Sequence, residues 1–206
     1  MGKAAGDKDG SAMTDIRISW YTLTEDLGPG KRFALWVQGC KRNCKGCIAP
    51  SLRDMDGGEV MKISDLAKSI ISSGADLTIS GGEPYLQSEA LCVLIDTVRT
   101  SRPQTGVICY TGNTYEDISS DPLTSRVDLL IDGEYIEELD DGRPMRGSSN
   151  QRLIFLTDRY DTKDLPANRQ NRFIFTEKGF RMTGIPSDGA KALIDMMSNG
   201  DAYENK

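Results

Sequence analysis

The sequence predicts an α/β fold: a partial, open β/α barrel with a β-hairpin and helix appended at its C-terminal end. Three observations carry that expectation. Short apolar strand patterns alternate with helical ones as far as Arg152, an order that implies right-handed crossovers and a mostly parallel sheet. There are too few such units for a closed eight-stranded barrel. Beyond Arg152 the rhythm changes to a hairpin signal followed by one helix. With 206 residues the chain is long enough for one domain with a real core. Residues 1–13 read as a disordered tail or an expression remnant, 14–152 as the core, and 153–206 as an extension packed on it.

Each element has its own signal. Ile16, Ile18 and Trp20 alternate over 15–21, as in a half-buried strand, and a Gly/Pro-rich turn follows over 22–30. Residues 33–37 are almost wholly apolar, as in a strand covered on both faces. Ser64 is placed to cap a helix reaching residue 73, with Ile63, Leu66, Ile70 and Ile71 inward. A strand over 76–80 runs into Gly81-Gly82-Glu83-Pro84, and a helix over 88–102 carries Leu91, Leu94, Ile95 and Val98 at helical spacing. Strands over 107–111 and 127–131 end in Gly112-Asn113 and Asp132-Gly133, with a short helix over 114–118 between them. Residues 172–176 and 180–183 flank Glu177-Lys178-Gly179 as a hairpin, and 187–198 closes the chain as a helix.

The chemistry concentrates in 38–50, QGCKRNCKGCIAP, where Cys40, Cys44 and Cys47 form a CxxxCxxC array at the end of the second strand. Three thiolates this close can converge on zinc, cuprous copper or an iron-sulfur cluster. A structural zinc site normally closes with four Cys or His ligands, and the chain has no histidine. Cys92 and Cys109 lie inside apolar runs, where cysteine usually behaves as a small buried hydrophobe. Three ligands with no obvious fourth point to an iron with an open position. A zinc-stabilised binding module and a non-catalytic electron carrier remain the bland alternatives.

CxxxCxxC resembles the cluster motif of radical S-adenosylmethionine enzymes, and Gly81-Gly82-Glu83-Pro84 resembles their GGE segment. Most of that superfamily has an aromatic residue before the third cysteine. Gly46 in that position, with Gly28-Pro29-Gly30-Lys31-Arg32-Phe33 upstream and RGSSNQR at 146–152, is similar to the glycyl-radical-enzyme activases, most of all those of anaerobic ribonucleotide reductase. The resemblance implies a radical S-adenosylmethionine type of open barrel. It implies a [4Fe-4S] cluster held by Cys40, Cys44 and Cys47, and S-adenosyl-L-methionine bound along Gly46, Ile48, Gly81, Gly82, Glu83, Thr111 and Asp132. It further implies reductive cleavage to a 5'-deoxyadenosyl radical that installs a glycyl radical on a partner enzyme. No catalytic acid or base is then needed beyond the cluster. Another peptide or a small molecule is the alternative substrate within the superfamily.

A formal charge of -6 argues against nucleic acid as a partner. No apolar run approaches the roughly 20 residues that span a bilayer, so a cytoplasmic protein with reduced thiols is expected. Lys41, Arg42 and Lys45 around the cysteines would steer an acidic flavodoxin or ferredoxin toward them. Arg143, Arg146 and Arg152 are placed to meet a carboxylate or a partner's backbone.

Overall fold

A computed structural model describes residues 14–177 and 179–199; the expected N-terminal tail and Lys178 of the hairpin turn lie outside them. The chain runs β1 (Asp15–Thr24), β2 (Arg32–Val37), β3 (Glu59–Lys62), α1 (Ile63–Ser73), β4 (Asp76–Gly81) and α2 (Ser88–Ser101). It continues with β5 (Val107–Tyr110), α3 (Tyr115–Ile118), β6 (Leu129–Asp132), β7 (Arg152–Phe155), β8 (Arg172–Thr176), β9 (Gly179–Thr183) and α4 (Asp188–Asn199). Seven strands form one mixed sheet in the order β3-β1-β2-β4-β5-β6-β7, and β8-β9 make a separate ribbon.

The parallel part is confined to the centre, β2-β4-β5-β6. Antiparallel strands border it on both sides, β1 and β3 on one margin and β7 on the other. The sheet is therefore less parallel than the strand-helix rhythm implies. β3 is a largely exposed EVMK edge strand and β7 a half-buried RLIF, so neither shows a strong periodic signal. β7 begins at Arg152, so the sheet continues through Phe155, past the core boundary expected at 152. β1 also runs on to Thr24, pairing Thr22 with Ala34 and Thr24 with Arg32, which shortens the expected turn. Ser64 does not cap α1. β3 runs straight into that helix, leaving extended Lys62 at the N-cap without a side-chain bond, while Gly74 closes the other end in the left-handed conformation (φ 67°).

One face of the sheet packs on α1 and α2. Leu35, Val37, Leu77, Ile79, Cys109 and Leu130 meet Leu66, Ile70, Leu91, Leu94, Ile95 and Val98 there in one buried cluster. Each such side chain is worth roughly 1.5–3 kcal/mol when fully buried. An irregularity between Ile18 and Trp20 turns β1 over, so that Ile18 joins this cluster while Trp20 stacks on Trp36 at 4.0 Å.

The opposite, inner face is mixed. A second cluster of Ile108, Leu129, Ile131, Met145 and Tyr160 covers its β5–β6 side. Beside it lies Arg32, with 0% of its surface exposed. Its guanidinium donates to Thr78 Oγ1 (2.9 Å), the Tyr160 hydroxyl (2.6 Å) and the Leu77 carbonyl (2.5 Å), which satisfies the buried charge. On the β1 side Arg181 of β9 lies 5.0 Å above the Trp20 ring, which places the C-terminal ribbon on the inner face.

Candidate metal and cofactor site

The cysteine loop leaves the sheet at Val37 and is closed by its own backbone. Buried Gln38 donates from Nε2 to the Ser51 (3.1 Å) and Asp54 (2.8 Å) carbonyls, while Gly39 N bonds the Leu52 carbonyl (2.9 Å). Inside the loop Cys47 N donates to Cys44 O (3.3 Å), and Arg53 reaches Cys44 O (3.0 Å). Gly46 sits at φ +69°, and a Cβ there would lie 2.4 Å from Glu137 Oε2, so this position requires glycine.

Cys40, Cys44 and Cys47 are half-buried, free, and line one cavity of about 150 Å³ at the C-terminal ends of the central strands. Among the described residues no three Cys, Asp or Glu side chains already converge as a metal-binding group. Burial pushes the Cys40 and Cys44 thiols up, and Glu134 adds to the effect at Cys44. These thiols must therefore lose protons before they bind a metal. Cys92 and Cys109 are buried in the helix-packed core, as the apolar runs around them lead one to expect.

The same cavity is lined by Ile48, Gly81, Gly82, Glu83 and Thr111. Gly81 and Gly82 allow β4 to approach the cysteine loop itself. A Cβ on Gly82 would lie 2.1 Å from the Gly39 carbonyl oxygen, and one on Gly81 2.4 Å from that of Val37. Gly82 N donates to Val37 O (2.9 Å) and Glu83 N to Gly39 O (2.8 Å), which ties the two motifs together. Glu83 is 5% exposed. Its carboxylate accepts from the Thr111 hydroxyl (2.7 Å), Gly112 N (3.0 Å) and Tyr85 N (3.2 Å). Arg42 from the cysteine loop stands 3.6 Å away and also donates to Asn113 Oδ1 (2.6 Å).

Asp132 is fully buried but does not line the cavity. It accepts from Tyr115 N (2.7 Å) and Arg152 Nε (3.0 Å) and so clamps the end of β6; its neighbour Gly133 lines the cavity instead. The RGSSNQR arginines meet carboxylates of their own chain, Arg146 with Asp141 and Arg152 with Asp132 and Glu116. Gln151 accepts from Gly147 N (2.8 Å) and donates to Gly133 O (2.9 Å), so this segment shapes the cavity wall. Lys45 pairs with Glu138. Sequence reasoning missed the placement of Arg42 on Glu83, and it missed Tyr110, Gln151 and Ile185 as lining residues. No local pattern marks such contacts, because each is made only when distant segments close on one another.

Comparison with known proteins defines the class. Residues 27–154 match the family described as the 4Fe-4S single cluster domain. The chain is 36% identical over 140 residues to the anaerobic ribonucleoside-triphosphate reductase-activating protein of Enterobacteria phage T4, covering 64% of this chain and 88% of that protein. The protein of the same name from Vibrio cholerae is 33% identical over 144 residues (64% and 92%), and that from Haemophilus influenzae 32% over 146 (65% and 94%). The chain belongs to this family of activating proteins, within the 4Fe-4S single cluster domains. Among the described residues no helix is long and apolar enough to cross a membrane.

Proposed function

We propose that this chain is a radical S-adenosylmethionine enzyme that activates a glycyl radical enzyme of the anaerobic ribonucleotide reductase kind, in a reducing cytoplasm. Cys40, Cys44 and Cys47 would hold a [4Fe-4S] cluster, with S-adenosylmethionine beside it along Ile48, Gly81, Gly82, Glu83 and Thr111; Gly46, which faces Glu137 and does not line the cavity, is assigned to the turn of the cysteine loop. One observation carries the reading: the cysteine loop and the Gly81-Gly82-Glu83 strand end are hydrogen-bonded together and line a single cavity. The donor set fits the group, since three soft sulfurs face that cavity while Cys92 and Cys109 stay in the core. The open sheet fits the partial barrel expected of such enzymes, with the site at the C-terminal strand ends. Asp132, turned away from the cavity, is assigned to the strand-end clamp and not to the ligand.

Held by Cys40, Cys44 and Cys47, a reduced [4Fe-4S] cluster would supply the electron for cleavage of S-adenosylmethionine, the chemistry that radical transfer to a backbone glycine of the partner requires. The chain's own residues bind and orient. Glu83, held by Thr111 and Gly112, offers its carboxylate to the ammonium group of the methionine. Arg42 stands 3.6 Å from that carboxylate, so an ammonium arriving there would share or displace its charge. A cavity of about 150 Å³ is small for a nucleoside-bearing ligand, so Arg42 and half-exposed Ile48 are the side chains that must give way. The electron donor would be a flavodoxin or ferredoxin approaching exposed Lys41, since Lys45 and Arg42 are engaged by Glu138 and Glu83.

Anaerobically prepared protein should contain about four irons and matching sulfide per chain, and should form 5'-deoxyadenosine from S-adenosylmethionine and a reductant. Cys44→Ala should abolish both. Zinc in place of iron, or an active Cys44→Ala protein, would refute the assignment.

A further inference from the structure

The cavity is not built from the family core alone. The family match ends at residue 154, yet Ile185 lines the cavity together with the three cysteines. We propose that the 183–187 segment is a strap across the open inner face of the sheet, which walls the pocket and screens the cysteine loop from solvent and small reagents.

Both ends of the strap are anchored, and the anchors lie on opposite sides of the sheet. On the β1 side Thr183, wholly buried, contacts Thr24 Oγ1 (3.2 Å) and donates to Asp26. On the β6–β7 side Arg169, whose side chain is 4% exposed, donates to Pro186 O (2.8 Å), Arg146 O (2.8 Å) and both oxygens of Asp140. Between them Asn171 bridges the strap, donating to Ile185 O (2.7 Å) and accepting from Ser187 N (3.0 Å). Gly184 sits at φ +89°, where a Cβ would lie 2.0 Å from the Gln170 carbonyl oxygen, so the strap is pressed against the preceding loop. An open sheet thereby gains a closed rim, and Ile185 is the apolar side chain it presents to the cysteines. The identity of what is screened rests on the function proposed above; the wall itself does not.

The test separates the two. In the metal-free, full-length protein, iodoacetamide labelling of Cys40, Cys44 and Cys47 is followed by peptide mass spectrometry. Ile185→Gly should speed it by roughly an order of magnitude by opening access. Ile185→Leu should restore the slow rate, and Cys109 should stay unlabelled in both variants as a check on the fold. Unchanged labelling in Ile185→Gly would overturn the proposal. In the cluster-loaded enzyme Ile185→Gly should also form more 5'-deoxyadenosine per glycyl radical installed, because a leaky pocket wastes radicals. If no protein forms 5'-deoxyadenosine while the labelling difference holds, the wall stands and the radical function falls.

Discussion

On its outer face the sheet presents Leu35, Leu77, Ile79 and Leu130 to two amphipathic helices, whereas its inner face carries Arg32, Thr78, Ser80 and Tyr110 under loops and the C-terminal ribbon. The outer face is apolar and cooperative, so it gains stability from area alone. The inner face must satisfy each polar group with a named partner, as Arg32 does with Thr78, Tyr160 and Leu77. That precision costs burial but leaves polar groups positioned at the strand ends, where Glu83 and the cysteines meet. Stability and chemistry are thus divided between two sides of the same strands.

The largest effect that would test this division lies on the outer face. Ile79→Ala removes a side chain with 0% exposure from the helix-packed cluster and should cost about 3–4 kcal/mol in urea unfolding. The folded fraction should still take up iron like the parent protein. Loss of iron uptake without loss of stability would break the division.

A smaller stability effect with a larger functional one is expected at Gly82. Its added Cβ meets backbone atoms, the Gly39 carbonyl at 2.1 Å and that of Leu52 at 2.9 Å, which cannot rotate away. Gly82→Ala should cost about 2 kcal/mol by overpacking and should lower iron retention, because it pries the cysteine loop from β4. Full iron retention would show that the seam is not needed to hold the loop.

The central strands were legible in the sequence because burial on both faces makes them continuous apolar runs, as in the 33–37 and 129–131 stretches. The marginal strands β3 and β7 were not, since EVMK is mostly exposed and RLIF only half-buried. At the site, Cys40, Cys44, Cys47 and Gly81-Gly82-Glu83 could be picked out because their spacing is local, and the structure lines one cavity with all six. Asp132 illustrates the limit: a strand-end acid reads alike whether it faces a ligand or, as here, Arg152 and Tyr115 N. Arg42 on Glu83 and Ile185 beside the cysteines depend on segments far apart in the chain, and no periodicity encodes them.

The gentlest perturbation is acid, which should separate the inner-face strap from the rest. Burial opposes ionisation of Asp140, but Arg169 and Lys191 prevail and hold its carboxyl well below the ordinary value of 3.8. A carboxyl depressed by folding contributes stability that is complete above its unfolded pKa and is lost as pH falls toward the folded one. The anchor should therefore be intact at pH 6 and weaken progressively as pH falls below the ordinary carboxyl value. Because Arg181 caps Trp20 from the same ribbon, the fluorescence of the stacked Trp20–Trp36 pair reports the detachment. Asp140→Asn, which keeps the shape and removes the titration, should flatten that pH dependence. An equally steep acid response in Asp140→Asn would place the acid-sensitive contact elsewhere on the inner face and leave the strap held by Thr183, Asn171 and the Arg169–Pro186 bond.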